Sequence, residues 1–150
     1  MKLVDDGLGG LTYRVIGICM AVHNDLGPGH REIVYHRALE QKFREADMAF
    51  ESEPGLELVN QDNSTLIIYR PDFRLEGKLF LEIKALHHLL TNDQMAQAID
   101  YLAADIVGHC RVALLVNFGR ARLEHKRIFR PMTVQQHHER RKKWGSYKRP

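Results

Sequence analysis

Cysteine is nearly absent: Cys19 and Cys110 are the only two in 150 residues. Each stands in an apolar neighbourhood, GICMAV and GHCRVALLV, and no CxxC spacing occurs. A disulfide framework and a zinc site are therefore set aside in favour of small buried thiols in a reducing compartment. No apolar run approaches the roughly 20 residues that cross a bilayer, so no membrane partner is expected. The opening MKLVDDGLGG has acids where a signal peptide needs an apolar stretch, and the expected location is the cytoplasm. GxxxxGK[ST], GxSxG and HExxH are all missing, which removes NTPase, serine-hydrolase and zinc-protease readings.

What is present is ordinary in amount and uneven in placement. A hydrophobic content of 44% with 27% charged residues suits one globular domain with a single core. The formal charge of +3 hides an asymmetry. Residues 131–150 hold six Lys or Arg and one Glu, a net of +5, which leaves −2 for residues 1–130. The expected organisation is a domain over 1–130 and a basic tail over 131–150. In the tail, HHERRKKWGSYKRP sets Arg140, Arg141, Lys142, Lys143 and Lys148 around Trp144. Such a segment attracts phosphate backbones and stacks on exposed bases, or is simply a solvated terminus.

Apolar residues Val15, Ile18, Cys19, Val22 and Leu26 fall at helical spacing and predict a helix over 11–26, stopped by Gly27-Pro28-Gly29. A second helix is predicted over 31–46, with Glu32, Tyr35, His36, Leu39 and Phe43 on one face. Strand-like segments follow at 50–58, interrupted by Pro54-Gly55, then at 65–73 and 79–86. Thr91, Asn92 or Asp93 caps a third helix over 93–104. RVALLVNF, 111–118, reads as the most buried strand, with 123–129 as an optional last one. The order ααβββαβ implies an α/β fold, a mixed sheet flanked by helices.

One stretch breaks the apolar logic of a core strand. In RPDFRLEGKLFLEIK, 70–84, alternation points Glu82 and Lys84 one way and Leu81 and Ile83 the other. Asp72 joins the two charges only under one hairpin register. A two-residue turn sets it opposite Leu81, whereas a three-residue turn over 76–78 sets it opposite Glu82. If the acids converge, Lys84 and a hard divalent cation offset their repulsion; otherwise the three form a surface ion-pair ladder worth little. Glu32, at the start of an apolar helical face, is either a first-turn acid favoured by the helix dipole or part of the same site. Gln97 and Tyr101, four apart, offer hydrogen bonds from one helical face, or are a boundary glutamine and a half-buried core tyrosine.

Taken together these motifs resemble a known family. GHREIVY, 29–35, matches the G-x-x-E-x-x-Y signature of the GxxExxY proteins. Asp72 with EIK, 82–84, is similar to the split core of the PD-(D/E)XK nuclease superfamily, to which that family is assigned. Gln97 and Tyr101 resemble its Q-x-x-x-Y element, and LLVNFG resembles the strand that follows. The resemblance covers residues 11–130. It implies a restriction-endonuclease-like core of about four to five strands and a Mg²⁺- or Mn²⁺-dependent nuclease acting on nucleic acid, with DNA the expected substrate. It implies that Asp72, Glu82 and the Ile83 carbonyl bind the metal and that Glu32 completes or orients its shell. Lys84 then assists the attacking water, while Gln97 and Tyr101 position phosphate or support the lysine. Gly29 lets the second helix start close to the site, and Tyr35 braces that helix against the sheet. The competing expectation is a catalytically idle module that grips nucleic acid through the tail. A homo-oligomer or a subunit of a larger repair or defence complex is compatible with either.

Overall fold

The computed structural model describes residues 7–105 and 110–130. Helix α1, Leu11–Leu26, and helix α2, Glu32–Glu45, are antiparallel neighbours joined by a short turn. Gly27 at φ 68° and Gly29 at φ 100° turn the chain there. A Cβ added at Gly29 meets nothing within 4 Å. That glycine is thus needed for its left-handed backbone, not for the close approach the motif suggests.

The turn is tied down by Tyr35, which is fully buried on α2. Its hydroxyl donates to the Gly27 carbonyl at 2.6 Å and accepts the His30 N–H at 3.2 Å. Its ring stacks on Phe118, with centroids 4.6 Å apart and planes 19° apart. Tyr35→Phe keeps the stack and removes both hydrogen bonds. It is expected to lower stability by about 1.5 kcal/mol, read as a lower urea midpoint at unchanged slope.

Three of the strand-like segments behave as the alternation predicts, and two are cut. The 50–58 segment becomes β1, Phe50–Ser52, and β2, Leu56–Val59. The 65–73 segment becomes β3, Thr65–Tyr69, and β4, Phe73–Leu75. β1 pairs with β4 and β2 pairs with β3, so a single long hairpin bends at matching points on its two arms. The physical cause is Pro54 on one arm and Pro71 on the other, neither with an N–H for the ladder. Glu53, at φ 51°, makes the corner, and its N–H donates to the Asp72 carbonyl at 2.8 Å.

β5, Leu79–Lys84, follows; then α3, Asn92–Ala104, β6, Val112–Asn117, and β7, Glu124–Phe129. α3 starts at Thr91, which forms a capping box with Gln94. The main sheet has the order β1-β4-β5-β6-β7, and β2-β3 forms a separate two-stranded ribbon. Only β5–β6 is parallel, bridged by α3; the other pairs are antiparallel. This is the mixed sheet flanked by helices that the order of elements implies.

Strand alternation splits the core in two. Leu79, Leu81, Ile83, Val112, Leu114 and Val116 pack with α1 and α2. Phe80, Ala113 and Leu115 pack with α3 and the β2–β3 ribbon, where Tyr69 meets Tyr101 edge to face at 5.9 Å. Both cysteines are buried and unpaired. Burial pushes the Cys19 thiol up, and burial with the nearby Asp105 charge pushes Cys110 to about 11. Neither is a nucleophile near neutral pH.

Candidate active site

The β4–β5 hairpin adopts the register that brings the acids together. Leu75 pairs with Leu79, Arg74 with Phe80 and Phe73 with Leu81, leaving Glu76, Gly77 and Lys78 as the turn. Glu76 and Gly77 both sit at positive φ, 51° and 65°, and the Lys78 N–H closes the turn on the Leu75 carbonyl at 2.9 Å. The non-glycine left-handed residue is held from outside: the Glu76 N–H donates to the Ala49 carbonyl at 2.8 Å. One step further along the same register lies Asp72 beside Glu82.

The two carboxylates interlock at the bend. The Ile83 N–H donates to Asp72 Oδ2 at 2.8 Å, and the Asp72 N–H donates to Glu82 Oε1 at 3.2 Å. Tyr101, from α3, donates its hydroxyl to Glu82 Oε2 at 2.6 Å. Lys84 Nζ lies 3.9 Å from the same oxygen. Glu82 is 5% exposed, so its charge is largely cut off from water. Burial first, then the Asp72 carboxyl beside it, pushes the Glu82 carboxyl well above the usual range; Lys84 and Tyr101 pull only partly against this. Burial alone would also raise Asp72, but hydrogen bonds with Glu82, His36 and the Ile83 N–H hold it below the ordinary aspartate range. Two facing carboxyls so poorly hydrated resist ionising together, and their shifts run in opposite directions, Glu82 up and Asp72 down.

Glu32 opens α2 within electrostatic reach of Asp72 and Lys84. It is exposed, and it makes no hydrogen bond to the acids. Partial burial raises its carboxyl; the Lys84 charge lowers it and the Asp72 charge raises it, which puts Glu32 within the field of both. Gln97 lies half-buried on α3, one turn before Tyr101, and no hydrogen bond ties its amide to the acids. The structure therefore brings Asp72, Glu82, Lys84 and Tyr101 into contact, leaves Glu32 within their electrostatic reach and ties Gln97 to none of them. Arg140, Arg141, Lys142, Lys143, Trp144 and Lys148 lie outside the described residues.

Sequence reading passed over two groups. His36 is 7% exposed on the apolar face of α2, yet its Nδ1 lies 3.4 Å from Asp72 Oδ1. The one signal available was its position four residues after Glu32, on the same stripe. Asn117, fully buried at the end of β6, braces the segment leaving Lys84: its Oδ1 accepts the Leu86 N–H at 2.9 Å.

The donor set fits a hard divalent cation. Among the described residues no three His, Cys, Asp or Glu side chains form a metal-holding group by themselves. Carboxylate and backbone oxygens, with no thiolate or imidazole ligand set, are the donors of Mg²⁺ rather than zinc. Backbone oxygen is on hand. Extending the β4–β5 register sets Pro71 opposite Ile83, and proline has no N–H to give the Ile83 carbonyl. In an antiparallel pair a residue's N–H and C=O face the same neighbour. The Ile83 N–H is turned to Asp72, so its carbonyl faces the same mouth.

No curated protein and no solved structure matches the chain. A family model of the PD-(D/E)XK nuclease superfamily matches residues 10–128, a span holding the acids, the lysine, the tyrosine and both helices around them. On that match the chain belongs to the PD-(D/E)XK nuclease superfamily.

Proposed function

We propose that this protein is a nuclease that uses Mg²⁺ or Mn²⁺ to hydrolyse phosphodiester bonds, with DNA as its substrate. The observation that carries the reading is the half-buried Asp72 hydrogen-bonded to the buried Glu82, with Lys84 3.9 Å from the latter. A fold that only needed stability gains little from two facing acids. In this reading Asp72, Glu82 and the Ile83 carbonyl hold the cation, and Glu32 completes or orients the shell. A divalent ion bound there stabilises charge on a phosphoryl oxygen and lowers the pKa of a coordinated water.

The chain's own groups divide the remaining work. Tyr101 fixes the rotamer of Glu82 through its 2.6 Å hydrogen bond. Lys84, half-buried at the end of β5, supplies positive charge where negative charge grows on phosphorus and orients the attacking water. Gln97 contacts substrate phosphate from α3, and the basic tail adds sequence-independent grip. The spacing of Gly29, Glu32 and Tyr35 supports a place in the GxxExxY group of the superfamily.

The test is cleavage of labelled single- and double-stranded DNA and RNA. Product is expected with Mg²⁺ or Mn²⁺ and none with EDTA, and Lys84→Ala is expected to lose about 10²-fold, the scale of one electrostatic contact. Equal product from wild type and variant, or product that survives chelation, ends this reading.

A further inference from the structure

The contact between His36 and Asp72 is one end of a longer chain. His36 Nε2 lies 2.7 Å from the Ser52 Oγ, and Nδ1 lies 3.4 Å from Asp72 Oδ1. Glu40 Oε1 also stands 4.0 Å from Nε2, one turn along α2. The imidazole is clamped flat on Phe73, with centroids 4.2 Å apart and planes 21° apart. Ser52 ends β1 opposite Phe73 and so beside Asp72. Ser52, His36 and Asp72 are therefore wired in the order of a serine-hydrolase triad.

Hydrolysis through Ser52 is disfavoured by the next residue. A triad needs an amide, commonly the one at or after the nucleophile, to receive the oxyanion. Here the Glu53 N–H is spent on the Asp72 carbonyl at 2.8 Å. What the wiring does accomplish is visible at Asp72. One oxygen faces His36 Nδ1 and the other accepts the Ile83 N–H, so the plane of the carboxylate is fixed from both sides. With the bond to Glu82 counted as well, the carboxylate still keeps one lone pair for another partner.

We propose that His36, itself oriented by Ser52, is a positioning residue that holds the Asp72 carboxylate in its cation-binding orientation. The proposal deepens the metal-dependent reading above and rests on it. Outer partners of ligating groups commonly set affinity by 10- to 100-fold.

Two substitutions separate this role from packing. An asparagine at 36 places its amide nitrogen near the former Nδ1 and keeps the Asp72 contact. A glutamine places its nitrogen near the former Nε2 and keeps the Ser52 contact instead. Purified full-length protein, stripped with EDTA, is titrated with Mn²⁺ by calorimetry, and folding of each variant is checked by urea melts. His36→Asn is expected within about threefold of wild-type Mn²⁺ affinity. His36→Gln is expected to fall by about 10- to 100-fold, its cleavage defect lying in kcat rather than in KM for DNA. Equal loss in both variants reduces His36 to a packing residue, and equal retention removes it from the site; either overturns the proposal. Labelling of Ser52 by a fluorophosphonate overturns it in favour of a nucleophilic serine. A folded wild type that takes up no Mn²⁺ and cuts nothing removes the metal reading itself, and the proposal with it. That outcome is distinct from a wild type that binds while the variants fail to differ.

Discussion

Glu82→Gln is expected to abolish metal-dependent cleavage, by on the order of 10³-fold, while making the metal-free protein more stable. The activity loss follows from removing one of two carboxylates offered to the cation. The stability gain follows from what that carboxylate meets when no cation is bound. Glu82 is buried against Asp72, and each unit by which its pKa is raised costs about 1.4 kcal/mol once the pH exceeds it. A glutamine still accepts the Tyr101 hydroxyl and donates to Asp72, while the 3.2 Å bond from the Asp72 N–H and the 3.9 Å ion pair with Lys84 are lost.

The sign of the pH dependence follows from the directions of the shifts. Glu82, raised in the folded state, contributes stability that is complete below the ordinary glutamate range and lost as pH rises through its raised value. Asp72, depressed, contributes stability present above the ordinary aspartate range and lost as pH falls through its lowered value. His36 is raised, chiefly by its hydrogen bond to Asp72, and adds a loss of the same sign as Glu82 on the alkaline side. In EDTA, wild type should therefore weaken from mildly acidic toward alkaline pH, and Glu82→Gln should weaken less. Urea melts across pH measure this. A variant with the wild-type pH profile would show that the Asp72–Glu82 pair carries no strain.

Gly119→Ala is expected to be among the most damaging substitutions for folding, at about 3 kcal/mol. A Cβ there would lie 2.3 Å from the Leu86 carbonyl oxygen, 2.5 Å from its nitrogen and 2.6 Å from the Ala85 carbonyl carbon, all of them backbone atoms. The crowded segment is pinned from the other side by Asn117, which accepts from the N–H groups of Leu86 and Gly119 and donates to His88 O and Glu124 Oε1. Glu124 in turn accepts the Leu90 N–H at 2.9 and 3.0 Å. The loop cannot retreat without leaving these buried groups unpaired. Gly77→Ala is the contrast: nothing lies within 4 Å of its Cβ, and the cost is the left-handed backbone at φ 65°, about 1 kcal/mol. A wild-type urea midpoint for Gly119→Ala would mean that the 85–90 segment shifts freely. Because that segment leaves β5 at Lys84, cleavage should fall with stability.

Helical periodicity located α1 and α2, with α1 at Leu11–Leu26 as spaced, because each buries a stripe set by its own residues; the capping residue Thr91 located α3. For the β4–β5 hairpin two turn lengths were open from the sequence, and the three-residue one that puts Asp72 on the face of Glu82 is the one adopted. The cuts in the two preceding segments were harder to see. Pro54 was visible as an interruption, but that Pro71 would match it across the hairpin depends on pairing, which no single segment encodes. His36 escaped notice for a related reason. An imidazole on an apolar helix face reads as core, and its partners Ser52 and Asp72 arrive from two other strands. Gln97 shows the converse: helical spacing put it in line with Tyr101, yet only the tyrosine reaches an acid.

The margins of the main sheet bear on how any partner can reach it. Among the described residues β1 offers three residues of free edge, and β7 sets His125 and Lys126 outward along the other. Short or ionic borders discourage the lateral addition of a foreign strand, the common route to aggregation. The two borders of the main sheet are thus poor templates for another chain's backbone.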